Sequence, residues 1–200
     1  LEALSLEEAV QLLLAIEPRL DGEAARLAEL CGCVPLALRV SASALAESPT
    51  LPVAEFLQKF EQARLQLSGM DASLRMSYDL LDPARQAALC RLSVFPAPFD
   101  RPAAAAVWEC DEPTAQPALD ALVNASLLEW DAATGFRLHD LVRVFADGLL
   151  SAAERYAAGL HHAEHYLEVA RQAQGLYLQG GEHILLGLRL FDLHWAHIQA

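Results

Sequence analysis

The sequence predicts a mainly α chain with a single short β-hairpin past its midpoint, and three observations carry that reading. Of 200 residues, 38 are Leu and 37 are Ala, while Val, Ile and Thr are few, a set that favours helix over sheet. Helix start and stop signals recur along the chain, with apolar residues at helical spacing between them. One stretch breaks the pattern: Leu127-Leu128-Glu129-Trp130 and Phe136-Arg137-Leu138 flank a five-residue loop that ends in Gly135. With 54% hydrophobic and 20% charged side chains, the chain is globular rather than disordered.

Residues 1–68 read as four helices. Ser5 and Glu8 make an S-x-x-E capping box, with Leu6, Val10, Leu13 and Leu14 supplying an apolar face. Pro18 and Asp21-Gly22 break that helix, and Asp21 is placed to cap the next, Glu23 to Leu30. Gly32 ends it. Pro35 suits the first turn of a third helix, Leu36 to Ala46, where its missing N–H costs nothing. Pro49 and Pro52 frame a fourth, Val53 to Leu67, with Phe56, Leu57, Phe60 and Leu67 inward. Ser68-Gly69 is the expected boundary.

Residues 69–150 are expected to hold helices at Ser73 to Leu81, Pro83 to Val94, Pro102 to Trp108 and Ala115 to Ala125. The hairpin follows, with Gly135 taking the positive φ of its loop, and then a last helix from Asp140 to Leu150. Three helices, a hairpin wing and a closing helix make a winged-helix arrangement. Residues 151–200 return to long helices, Glu154 to Gln174 and another starting near Glu182. A single antiparallel pair cannot bury both faces of its own helices, so it reads as the start of a helical-repeat array.

Charge and cysteine usage set bounds on function. There are 14 Lys plus Arg against 27 Asp plus Glu, a net charge of −13, and Lys59 is the one lysine. That argues against a broad polyanion-binding surface. No apolar run approaches the ~20 residues of a membrane span, and no signal peptide opens the sequence. Cys31, Cys33, Cys90 and Cys110 form no disulfide framework, so reduced thiols in a cytoplasmic protein are expected. The sequence begins without Met and stops within a helical pattern at His197-Ile198-Gln199-Ala200, and a piece of something longer is expected.

Three motifs in order resemble the carboxyl-terminal half of an NB-ARC module, the switch ATPase of STAND-class signalling proteins. Cys31-Gly32-Cys33-Val34-Pro35-Leu36-Ala37-Leu38 is similar to the family's C-G-G-L-P-L-A-L segment. Leu92-Ser93-Val94-Phe95-Pro96 is similar to its L-x-x-F-P stretch, and Leu138-His139-Asp140-Leu141-Val142-Arg143 to the M-H-D segment in its L-H-D-L-x-R form. The likeness covers roughly residues 1–150. It implies a helical subdomain at 1–68, a winged helix at 69–150 and the start of TPR-like repeats at 151–200. It also implies ADP or ATP in the full-length protein, with Pro35 against the adenine and His139 on the β-phosphate, Asp140 holding the local geometry. Its partners would be a P-loop domain and a repeat sensor of the same protein, with homo-oligomerisation on activation. Two positions depart from the pattern. Leu138 is a tolerable apolar exchange, and Cys33 replaces the second glycine, which argues against a glycine-only conformation there.

The chain lacks G-x-x-x-x-G-K-[ST]: its one lysine lies in Phe56-Leu57-Gln58-Lys59-Phe60-Glu61, without glycines. No catalysis and no tight nucleotide binding is therefore expected of it alone. Each candidate also has a plainer reading. Pro35 is a helix-starting proline, Asp140 an acid favoured at a helix N-terminus, and His139 a surface residue beside it. His161, His162 and His165 lack the H-E-x-x-H order of a zinc helix and are expected on a solvated face, with no metal. Cys31 and Cys33 are expected as packed or partly exposed thiols. Between Arg101 and Arg137 there is no Lys or Arg, whereas Glu109, Asp111, Glu112, Asp120, Glu129 and Asp131 all lie there. Direct DNA binding is accordingly not expected, nor is membrane binding. The function expected is regulatory, namely helping to bury ADP and control a conformational switch. The alternative is the sensor module of a bacterial-type transcription regulator whose DNA-binding domain lies elsewhere, and a nucleotide-independent helical scaffold ranks below both.

Overall fold

Residues 3–200 are described by a computed structural model. They form two units: the described residues up to Ala87 with Asp120–Leu128, and Ala88–Leu119 with Glu129–Ala200.

The first unit opens on α1 (Leu6–Ile16) at the expected capping box. The Ser5 hydroxyl accepts the Glu8 N–H, and the Glu8 carboxylate accepts the Ser5 N–H at 2.9 Å. A 3-10 turn at Pro18–Leu20 leads to α2 (Ala24–Leu30). Asp21 does not cap α2, contrary to expectation: it closes the 3-10 turn, and α2 starts after Glu23 with no side-chain cap bond. α3 (Pro35–Ala46) takes Pro35 into its first turn, as the missing N–H allows. α4 (Val53–Arg64) is shorter than expected, and Leu67 is exposed rather than inward. The reason is local, since the Arg64 guanidinium donates to the Leu67 carbonyl at 2.9 Å and the chain turns out of the helix there. α5 (Gly69–Leu80) begins before the expected Ser73 because the Ser68 hydroxyl accepts the Asp71 N–H. It packs on α3 and α4. Leu13, Leu27, Leu38, Leu45, Phe56, Leu57 and Phe60 are fully buried at the centre.

One polar device locks this unit. Glu17, only 4% exposed, receives Arg19 through both carboxylate oxygens, at 3.1 Å and 2.7 Å. The same guanidinium donates to the carbonyls of Leu45, Pro49 and Leu51. It thus ties the end of α1 to the end of α3. The Arg19 guanidinium holds the Glu17 carboxyl below its ordinary range.

α6 (Pro83–Arg91) and α8 (Glu112–Asn124) contribute residues to both units. α8 starts three residues before the expected Ala115, where the Asp111 carboxylate accepts the Thr114 N–H at 2.9 Å. In the second unit α7 (Arg101–Trp108) is capped by Asp100, which accepts the Ala103 N–H. β1 (Glu129–Asp131) and β2 (Gly135–Arg137) pair antiparallel, Glu129 opposite Arg137 and Trp130 opposite Phe136. Gly135 sits at φ +88°, and a Cβ there would lie 2.5 Å from the Phe99 carbonyl oxygen. Phe99 and Phe136 exchange both backbone hydrogen bonds at 2.8 Å, so the loop after α6 adds a bridge to the wing. α9 (Asp140–Leu149) follows.

A second capping box, Ser151 with Glu154, starts α10 (Ala152–Gln179), which runs longer at both ends than expected. α11 (His183–Leu193) returns antiparallel along it, and a short α12 (Trp195–Ile198) follows. The chain is therefore mainly α, with a four-helix subdomain, a winged helix bearing one hairpin, and antiparallel helices of the kind that open a repeat array. Among the described residues, no helix is long and apolar enough to cross a membrane.

Candidate functional site

The first candidate segment is the turn between α2 and α3. Cys33 lies at φ +54°, the left-handed region, so the expectation that a cysteine would keep this position out of a glycine-like conformation is overturned. The turn imposes it: Cys33 donates its N–H to Ala28 at 2.9 Å, and its carbonyl accepts from Leu4. Pro35 is half-buried directly after it. Cys31 is buried beside the hydroxyls of Ser41 and Ser73, and burial pushes its thiol up to about 11, so it is protonated and unreactive at neutral pH.

The second segment is the start of α9, in the second unit. Here His139 is the helix cap itself: its Nδ1 accepts the Leu141 N–H at 3.2 Å. An Nδ1 that accepts carries no proton, which leaves the ring N–H on Nε2 as a free donor. Asp140 is exposed and pairs with Arg143 at 3.4 Å, one turn along the same helix. Phe95, Pro96, Pro98, Arg137, Asp140 and Arg143 line a cleft of about 160 Å³ at this place. The Arg137 side chain is exposed and makes no hydrogen bond or ion pair among the described residues, while its backbone pairs with Glu129 in the wing. A nucleotide would find suitable chemistry in each segment, a proline ring at a helix start and an imidazole N–H beside a helix N-terminus. Pro35 and His139 belong to different units.

The three α10 histidines are not all on a solvated face. His161 is partly exposed and lies 3.6 Å from Glu109. His162 is 6% exposed, packed among Phe95, Tyr166 and His197. His165 is half-buried against the edge of Tyr166. No cluster of three metal-ligating side chains occurs among the described residues. Sequence reading missed this ring cluster because its members lie as far apart in sequence as Phe95 and His197. The spacing of His162 and Tyr166 on one helical stripe was the single local signal.

The middle of the chain thus presents three helices, a paired wing and a closing helix, and a winged helix-turn-helix domain model matches residues 81–151. The chain is 35% identical over 159 residues to the regulatory protein AfsR of Streptomyces griseus, across 73% of this chain and 16% of that protein. It is 33% identical over 168 residues to the regulatory protein AfsR of Streptomyces coelicolor, across 78% and 17%. The chain spans about one sixth of the length of the curated relatives it matches. Neither the matched domain's description nor the relatives' names mention catalysis.

These findings correct one expectation. Direct DNA binding was excluded on the acidic stretch from Glu109 to Asp131, but a winged helix-turn-helix domain and regulatory relatives point to DNA. The expectation rested on the acidic run between Arg101 and Arg137 and gave no weight to the exposed Arg137 on β2 or to Arg143 on α9.

Proposed function

We propose that the chain is the winged-helix part of a transcription regulator and that it meets DNA through its wing. The observation that carries this is the winged helix-turn-helix match over residues 81–151. The distribution of charge directs the contact. α8 brings no cation, whereas Arg137 projects from β2 unpaired among the described residues and Arg143 lines the same cleft. Phosphate neutralisation comes before base reading, so the wing takes that role. The test is a fluorescence-anisotropy titration of this chain on duplex DNA at low and physiological salt. Non-specific affinity on the order of 10⁻⁴–10⁻⁶ M that weakens with salt and falls in Arg137→Ala is expected. No salt-dependent binding at any concentration in that range overturns the reading.

The left-handed backbone of Cys33 favours a second, compatible reading. That residue stands where the similar NB-ARC motif has its second glycine, and it holds φ +54°, a region glycine enters without steric cost. In this reading the full-length regulator is a cytoplasmic STAND-type switch built as 1–68, 69–150 and 151–200. Pro35 lies against the adenine of ADP, Nε2 of His139 donates to its β-phosphate, and Asp140 holds the helix start. Bound ADP per protein and oligomer size are compared for the full-length wild type, His139→Ala and His139→Asn. The Asn variant keeps a capping oxygen without the imidazole. Less ADP and larger oligomers in both variants are expected; equal values in all three proteins remove the switch role of His139.

A further inference from the structure

Two histidine rings meet the loop Phe95–Phe99 in the second unit. Nε2 of His197, on α12, lies 2.9 Å from the Pro98 carbonyl oxygen. A carbonyl only accepts, so that nitrogen carries the proton. Nδ1 of His197 is then the acceptor, and Nε2 of His162, on α10, donates to it at 3.4 Å. Aromatic rings flank the arrangement. Tyr166 stacks on His197 with centroids 4.3 Å apart, and Phe95 meets both histidines edge-on. Phe95 also stacks on Phe99 at 4.0 Å. Phe99 in turn holds Phe136 of β2 by two backbone bonds, so the chain of contacts runs from α12 into the wing.

We propose that the His162–His197–Pro98 hydrogen-bond chain is a latch through which α12 holds the wing, so that losing it loosens the Phe99–Phe136 bridge. The two arrangements are discrete. His197 accepts from His162 only while its Nδ1 keeps a lone pair; with that nitrogen protonated and the His162 proton on Nε2, two N–H groups stand face to face at 3.4 Å. α10 turns His162, His165 and Tyr166 toward this group, and His194 approaches from the residue before α12. α7 contributes Asp100, which already accepts the Ala103 N–H. Burial holds both latch histidines below their ordinary range, keeping the latch closed at neutral pH. The latch does not depend on what the wing contacts.

Amide hydrogen exchange on this chain tests it. His197→Phe keeps a ring on Tyr166 and removes both hydrogen bonds. Exchange at the Phe99 and Phe136 amides is expected to rise about tenfold or more, because opening there becomes local. Unchanged rates at those two amides, with faster exchange in α12, would mean that His197 only pins α12, and the proposal falls. A variant that does not fold is replaced by wild type between about pH 7 and about pH 4, corrected for the intrinsic pH dependence of exchange. Wing protection is expected to drop with acid before that of α10. Wing protection that stays flat over the range overturns the latch.

Discussion

At the scale of single residues, backbone conformation makes the sharpest claims. Cys33 holds φ +54°, where an L side chain costs roughly 1–2 kcal/mol and glycine does not, although glycine gives back about 0.5–1 kcal/mol in chain entropy. Cys33→Gly is therefore expected to unfold in urea within about 1 kcal/mol of wild type, and Cys33→Val to lose about 1–2 kcal/mol more. His139 offers a comparable test, because its ring caps α9. His139→Ala is expected to cost about 1 kcal/mol and His139→Asn only a fraction of that. This stability difference is separate from any role toward nucleotide, which only the full-length protein can report.

At the scale of elements, two close approaches decide how helices and strands meet. A Cβ on Gly135 would lie 2.5 Å from the Phe99 carbonyl oxygen, and the residue also needs φ +88°. Gly135→Ala is expected to cost about 2 kcal/mol or more and to lower protection across β1 and β2 first. In the α10–α11 pair, Gly187 faces the Ala173 carbonyl at 2.5 Å and the Tyr177 nitrogen at 2.9 Å, measured from where a Cβ would stand. Backbone cannot yield as a side chain can. Gly187→Ala is expected to force α11 away from α10 and cost about 1–3 kcal/mol in thermal unfolding. Its readout is the second unit, because α10 and α11 both lie there.

At the scale of the whole molecule, acid sensitivity follows from buried histidines. His162 is held down to about 4, and His165 and His197 are also lowered, all chiefly by burial. Below the ordinary histidine range of about 6.5 the unfolded chain binds protons that the folded chain refuses. Stability therefore falls as pH drops from about 6.5 toward about 4, and the histidine contribution flattens below that. The three tryptophans, Trp108, Trp130 and Trp195, all belong to the second unit. Their fluorescence in urea is expected to show a midpoint that declines across this window, with a shallower decline in His162→Phe. An unchanged midpoint from about pH 7 to about pH 4 would show the ring cluster to be open to solvent.

The sequence by itself determined what is local in this protein. Ser5 with Glu8 announces one helix start, Pro35 another, and Gly135 the turn of the wing, because each acts on neighbours within four positions. Local reading failed where a competing local bond was overlooked, as at Asp21, Ser68 and Asp111, or where a turn imposed strain, as at Cys33. It also failed on DNA, since the acidic run from Glu109 to Asp131 was read apart from Arg137 and Arg143. Tertiary structure alone decided the burial of Glu17 under Arg19 and the meeting of His162, Tyr166 and His197 with Phe95 and Pro98. These contacts join residues as far apart in sequence as Phe95 and His197. No periodicity or capping rule spans such a distance, because the energy that brings those groups together comes from burying the surfaces of whole helices.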